Sequence, residues 1–172
     1  NKIYRQGIDA AKELEDGFPA KVEELFAYRG IIIGSVEFGY FSTAQQELIK
    51  QFVDRRGGGL LFLGGRNTLS DGGYTRSSFA EMLPVTLPDR RPTFHRDPAT
   101  VSLTPIGMDS LITRLVEDPK KNGETWQKLP YLADYQEIGI PKPGAAVLVE
   151  ADPGGRGKLP LLVTQNYGRG RV

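Results

Sequence analysis

The sequence predicts an α/β domain built on a parallel βαβ unit, and three observations carry that prediction. Two short apolar runs next to glycines, Gly30-Ile31-Ile32-Ile33-Gly34 and Leu60-Leu61-Phe62-Leu63-Gly64, read as strands. Between them, Ala44, Leu48, Ile49, Phe52 and Val53 recur along one helical face. Strand, helix, strand in that order fits a crossover between parallel neighbours, whose strands are normally buried on both faces.

The elements follow in chain order. Ile8, Ala11 and Leu14 at helical spacing predict a short amphipathic helix over about Gln6 to Glu15, ended by Gly17 and Pro19, and Val22 to Phe26 reads as another helical turn. Ser42 or Thr43 can cap the central helix, and Arg55, Arg56 and Gly57 supply its stop. Ser78 to Leu83 is a short helix stopped by Pro84. Val101 to Leu103 is a strand, Met108 to Val116 a helix and Ala145 to Val149 a buried strand, with turns at Pro143-Gly144 and Pro153-Gly154-Gly155. Leu161 to Gln165, then Tyr167-Gly168-Arg169-Gly170-Arg171-Val172, reads as a hairpin around a glycine turn. Three loops, Arg66 to Gly73, Leu87 to Pro98 and Ala151 to Lys158, are rich enough in Gly, Pro and charge to be mobile.

At 172 residues, with 39% hydrophobic and 25% charged residues, the chain fits one soluble domain spanning 1–172. Twenty-two basic against 21 acidic residues leave a net charge of +1, so no global field draws in nucleic acid or an anionic membrane. Without cysteine there is no disulfide, thiolate zinc site or thiol nucleophile, and the single His95 cannot build a multi-histidine metal site. No metal or cofactor is expected. No apolar run approaches the roughly 20 residues that span a bilayer, and no signal peptide opens the chain. The chain begins without Met and stops at Val172, where a strand is starting, so it reads as an excerpt of a longer protein whose missing flanks leave a membrane-associated, envelope-located parent open.

A resemblance adds to this. The runs Phe26 to Gly34, Gln45 to Phe52 and Arg56-Gly57-Gly58-Gly59-Leu60-Leu61-Phe62-Leu63-Gly64-Gly65-Arg66-Asn67, in that order, carry most of it. Gly72-Gly73-Tyr74, Leu83-Pro84-Val85, Thr104-Pro105-Ile106-Gly107, Trp126, Leu129-Pro130, Lys142-Pro143-Gly144-Ala145 and the closing Tyr167 to Val172 complete it. Together they resemble a bacterial family labelled as glutamine amidotransferases, and the closing hairpin is similar to that of its trehalose-utilisation-like relatives. The resemblance implies the class I glutamine amidotransferase-like fold: a flavodoxin-like three-layer α/β sandwich with a mainly parallel central sheet. It also implies frequent embedding in larger membrane-associated proteins, some with von Willebrand-type domains.

Active members of that class hold a cysteine at a strained strand-to-helix elbow, with backbone N–H groups for the oxyanion and a downstream histidine as base. Here the elbow positions are Gly64 and Gly65, and Ser110-Leu111 stands where relatives often show a His-Pro-Ile-like sequence. Glycine has no nucleophile for any pKa shift to activate. No catalytic residue is therefore assigned, and a non-catalytic binding or assembly domain of a larger bacterial protein is expected. The alternatives are an amidotransferase or other hydrolase using residues outside the excerpt, and a carbohydrate-binding module.

The C-terminal ends of adjacent parallel strands form the usual ligand crevice of open α/β sheets, which would gather Ser35 and Glu37 with Gly64, Gly65, Arg66 and Asn67. Arg66 suits a bidentate carboxylate or phosphate and Asn67 can orient it, so a small anionic ligand or a protein partner is expected there. In the plainer reading Arg66 pairs with Glu37 or Asp71 and the glycines only make a tight turn. No Walker motif or dinucleotide fingerprint is present. His95, in the basic stretch Arg90 to Arg96, is either an anion contact or base over the cleft or a solvated loop histidine. Trp126, Tyr131 and Tyr135 suit sugar stacking, a protein contact or cover for a sheet edge.

Overall fold

The computed structural model describes residues 4–154 and 157–172. Gly155, which belongs to the predicted turn at Pro153-Gly154-Gly155, and its neighbour Arg156 lie outside the described residues. In chain order the elements are α1 (Val22–Phe26), β1 (Gly30–Gly34), α2 (Thr43–Asp54), β2 (Gly59–Leu63), β3 (Val85–Thr86), β4 (Phe94–His95), β5 (Thr100–Leu103), α3 (Pro105–Asp109), α4 (Pro119–Gln127), β6 (Tyr135–Gln136), β7 (Ile140–Pro141), β8 (Ala146–Asp152), β9 (Leu159–Thr164), β10 (Asn166–Tyr167) and β11 (Gly170–Arg171).

The predicted βαβ unit is present. β1 and β2 pair in parallel from Gly30↔Gly59 to Gly34↔Leu63, with α2 between them in the chain. A capping box starts α2: Ser42 Oγ accepts from the Gln45 N–H at 3.3 Å, and Gln45 Oε1 accepts from the Ser42 N–H at 3.0 Å. Leu48, Ile49, Phe52 and Val53 form its buried stripe, and each such side chain removed from water contributes about 1.5–3 kcal/mol. Gly57 then takes a left-handed conformation, φ +80°, that turns the chain back toward the sheet.

The flavodoxin-like three-layer sandwich is not what forms. β2 has a parallel neighbour on each side, β1 and β11, and every other ladder is antiparallel: β10 on β11, β3 on β7, β4 on β6, and β5-β8-β9 as a sheet of its own. The physical reason lies in the connections. A parallel pair needs a crossover of a dozen or more residues, usually helical, whereas antiparallel strands need only a turn. Beyond β2, Pro84, Pro88, Pro92 and Pro98 break the chain into short extended pieces, and β8 returns as β9 after six residues that open at Pro153.

A second correction concerns burial. α2 covers the sheet face carrying Ile31, Ile33 and Leu60, whereas Ile32 on the other face is 68% exposed and Leu61 and Leu63 are 41% and 47% exposed. The strands predicted as buried on both sides are therefore half-covered.

Further expectations change locally. The predicted helix from Gln6 to Glu15 is a series of turns, because Leu14 is left-handed at φ 55° and the Arg5 guanidinium takes the Ala11 and Glu13 carbonyls at 3.0 and 2.8 Å. Ser78 to Leu83 is turn rather than helix, with Ser77 Oγ bonded to the Tyr74 carbonyl at 2.8 Å. The helix expected from Met108 to Val116 is α3 followed by a 3-10 turn at Leu111–Thr113, separated by the extended Ser110. The loop Arg66 to Gly73 packs inward through Thr68, Leu69 and Ser70. Its neighbour Tyr74 is fully buried among Phe38, Phe62 and Phe79, with ring centroids at 5.6, 5.5 and 6.0 Å. The Tyr74 hydroxyl donates to the Val36 carbonyl at 2.9 Å, and burial pushes it up to about 12.

Candidate functional site

The bend after β2 is where the predicted site residues meet. Ser35, left-handed at φ 51° just past β1, sits beside Gly65: a Cβ built on Gly65 would lie 3.1 Å from Ser35 Oγ. The parallel register that ends on Gly34↔Leu63 therefore brings Ser35, Gly64 and Gly65 together as expected. Glu37, Arg66 and Asn67 are exposed. Arg66 pairs with neither Glu37 nor Asp71; its guanidinium lies over the Phe94 ring at 5.6 Å.

Gln136, a residue with no local signal to single it out, decides the hydrogen bonding of the bend. Its Oε1 accepts from the Gly65 N–H at 2.9 Å and from Thr68 Oγ1 at 3.3 Å. Its Nε2 donates to the Thr68 carbonyl at 3.0 Å, to Thr93 Oγ1 at 3.2 Å and to Asp71 Oδ2 at 3.4 Å. Asp71 in turn accepts from the Thr93 N–H and hydroxyl and from the Phe94 N–H at 2.8–3.2 Å. Thr68 and Thr93 are fully buried and Gln136 is 6% exposed.

This network locks the β4–β6 ribbon onto the end of β2. It also places an amide oxygen on the Gly65 N–H, so that backbone donor is already engaged. Asp71, beside Gly72 and Gly73, carried the only sequence signal for this network: an Asx residue at a glycine turn. Gln136 carried none, because its partners lie 43 to 71 residues away in the chain.

Across the ribbon the register pairs Phe94 with Gln136 and His95 with Tyr135, so the second pair faces away from the bend. His95 is no solvated loop histidine. Its ring stacks on buried Tyr135 at 5.0 Å and 18°, and its Nε2 lies 3.4 Å from Glu137 Oε2, a carboxylate that also pairs with Arg90 at 2.5 Å. That Nε2 is buried and makes no hydrogen bond, so the contact with Glu137 is one of proximity alone. The aromatic residues considered for sugar stacking are spread out: Trp126 Nε1 donates to the Thr113 carbonyl at 2.7 Å, Tyr135 packs with Ala99 and Ala151, and Tyr131 is 68% exposed. Among the described residues no group of three or more His, Cys, Asp or Glu is placed to hold a metal ion, and no helix is long and apolar enough to cross a membrane.

No protein-family model and no curated protein matches the chain. Solved structures do. The Cytoplasmic Protein STM1381 from Salmonella typhimurium LT2 superposes with a TM-score of 0.70 at 25% identity, over 90% of this chain and 62% of that one. The Cytoplasmic Protein STM3548 from Salmonella typhimurium gives a TM-score of 0.70 at 20% identity, over 92% of this chain and 63% of that one. The chain thus spans less than two thirds of the length of either neighbour, and what it shares with these bacterial proteins is the mixed α/β fold described above.

Proposed function

We propose that this chain is a non-catalytic binding or assembly domain, related to the bacterial family labelled as glutamine amidotransferases but without its chemistry. One observation carries the reading: at the bend where that chemistry needs a nucleophile and a free backbone donor, glycine supplies no side chain and Gln136 fills the Gly65 N–H. The groups left facing outward are Arg66 and Asn67, with Ser35 alongside, and they suit a small carboxylate or phosphate ligand. A cytoplasmic setting is proposed from the names of the two structural neighbours, and those names give no support to an envelope-associated parent.

Two measurements on the purified protein test the proposal. Ammonia release from glutamine should not exceed that of a Gly65→Ala variant; turnover above that control overturns the non-catalytic reading. A thermal-shift screen of dicarboxylates and inorganic phosphate should raise the melting temperature of the parent chain and not of Arg66→Ala, because a ligand bound only to the native state stabilises it by mass action. An equal shift in both proteins removes Arg66 from the site.

A further inference from the structure

Among the described residues the sheet ends in a strand with no ladder partner on its outer side, and that edge has a symmetry of its own. β1 is the terminal strand in the order β1-β2-β11-β10. The Gly59 N–H donates to the Arg29 carbonyl at 3.1 Å, and the register pairs Gly30 with Gly59. In a parallel ladder alternate residues turn their backbone groups to the same neighbour. Ile31 and Ile33 therefore bond toward β2, and Gly30, Ile32 and Gly34 present their N–H and C=O groups outward. Among the described residues no hydrogen bond reaches those outward groups. Edge strands are commonly blunted by Lys, Pro or a bulge, and Gly30-Ile31-Ile32-Ile33-Gly34 has none of these. A groove of about 420 Å³ runs beside the strand, lined by Gly30 to Ile33 and by Tyr4, Phe18, Tyr28 and Tyr40.

We propose that β1 is a self-association edge, at which a second copy of this chain adds its own β1 antiparallel, centred on Ile32. The strand reads the same in both directions. A two-fold axis through Ile32 sets Ile32 opposite Ile32 of the second copy and Gly30 opposite its Gly34, and all of these residues carry the outward-facing groups. Each facing pair then exchanges both of its hydrogen bonds. The exposed Ile32 side chains meet on the uncovered face, which Leu61 and Leu63 continue on each copy.

Charge supports the same partner. Exposed Arg29 precedes the strand and exposed Glu37 follows it, and among the described residues neither has a salt-bridge partner. Antiparallel pairing carries the basic end of one copy toward the acidic end of the other, twice by symmetry. A five-residue strand pair covers less than a standard interface of about 1,600 Å², so the dimer is expected to be weak and concentration-dependent. This inference rests on the strand edge and is independent of the reading of the Gly64–Gly65 bend.

Sedimentation equilibrium of the whole chain from about 1 to 300 μM is the test, with the micromolar range set by the small interface. The expected result is a reversible monomer–dimer equilibrium. Ile32→Lys, which puts a charge at the centre of the edge, should weaken it at least tenfold at unchanged melting temperature, whereas Ile106→Lys, at another exposed apolar position, should leave it intact. Arg29→Glu should weaken association and the double variant Arg29→Glu/Glu37→Arg should restore it. The parent chain has no cysteine, so Ile32→Cys should yield a covalent dimer on mild oxidation, as facing hydrogen-bonded residues stand about 5.5 Å apart. A chain that stays monomeric throughout, or a dimer that survives Ile32→Lys, overturns the proposal; failure of Ile32→Cys to cross-link within a confirmed dimer overturns the register.

Discussion

Replacing Gln136 with alanine tests whether the bend after β2 is built by that one side chain. Three of its hydrogen bonds are well formed, to the Gly65 N–H at 2.9 Å, the Thr68 carbonyl at 3.0 Å and Thr93 Oγ1 at 3.2 Å. At about 1 kcal/mol net for each, their loss costs about 3 kcal/mol. The contacts at 3.3 and 3.4 Å are too long to add much. For a domain of this size 1 kcal/mol lowers the melting temperature by about 2–4 °C, so Gln136→Ala should melt about 6–12 °C below the parent. Urea unfolding followed by circular dichroism gives the free energy, with an unchanged m-value showing that the unfolding unit is the same. Arg66→Ala serves as the control, because an exposed cation–π contact contributes only about 0.5–1 kcal/mol. A loss below about 1 kcal/mol for Gln136→Ala would mean that water replaces the amide readily and that the Gly65 donor is not locked.

Three further predictions address the scaffold. Ser42→Ala removes the reciprocal cap of α2 and should cost about 1 kcal/mol by urea unfolding, with a loss near zero showing that the cap is idle. Gly107→Ala places a Cβ 1.9 Å from the Leu148 carbonyl oxygen, backbone that cannot swing aside, so α3 must lift off β8 and the loss should reach about 3 kcal/mol; a melting temperature like the parent's contradicts that packing. Tyr167→Phe removes a hydroxyl that donates to Glu81 Oε1 at 2.7 Å, the bond that, ahead of Lys50, holds the Glu81 carboxyl below its usual value of 4.5. A depressed carboxyl contributes stability above its unfolded value that is lost as pH falls through the folded one. Tyr167→Phe should therefore show a shallower acid limb in urea midpoints, by a fraction of a kcal/mol at these exposed groups. The substitution also removes a phenol pushed up to about 12 by burial and then by Glu81, whose stabilisation is present below pH 10 and is lost as pH rises toward about 12. Superimposable acid limbs would show that the bond is not formed in solution.

The legible parts of the fold are those whose signals are local. α2 announced itself through Ser42, its apolar stripe and Gly57; β1 and β2 through glycine-bounded apolar runs; the β10–β11 hairpin through Gly168, which is left-handed at φ 56°. α4 is not among the legible elements although its start is written in Asp118-Pro119: Asp118 accepts from the Lys121 N–H at 2.8 Å and proline sits at the first helical position. Its residues carry too little apolar periodicity to register as a helix. The ribbon strands β3, β4, β6 and β7 are two residues each, too short for any alternation to show.

The α/β class, the parallel β1–β2 unit with its helix, the absence of a thiol nucleophile and the glycine bend are all written in the chain, because each depends on residue identity or on spacing within one element. Tertiary contacts alone make the remaining ladders antiparallel, leave one face of the parallel sheet exposed and β1 without an outer ladder partner among the described residues, and seat Gln136 at the bend. Partner choice between strands and the contacts of a buried amide are settled by burial and hydrogen-bond satisfaction across dozens of residues, and no local pattern in the chain encodes them.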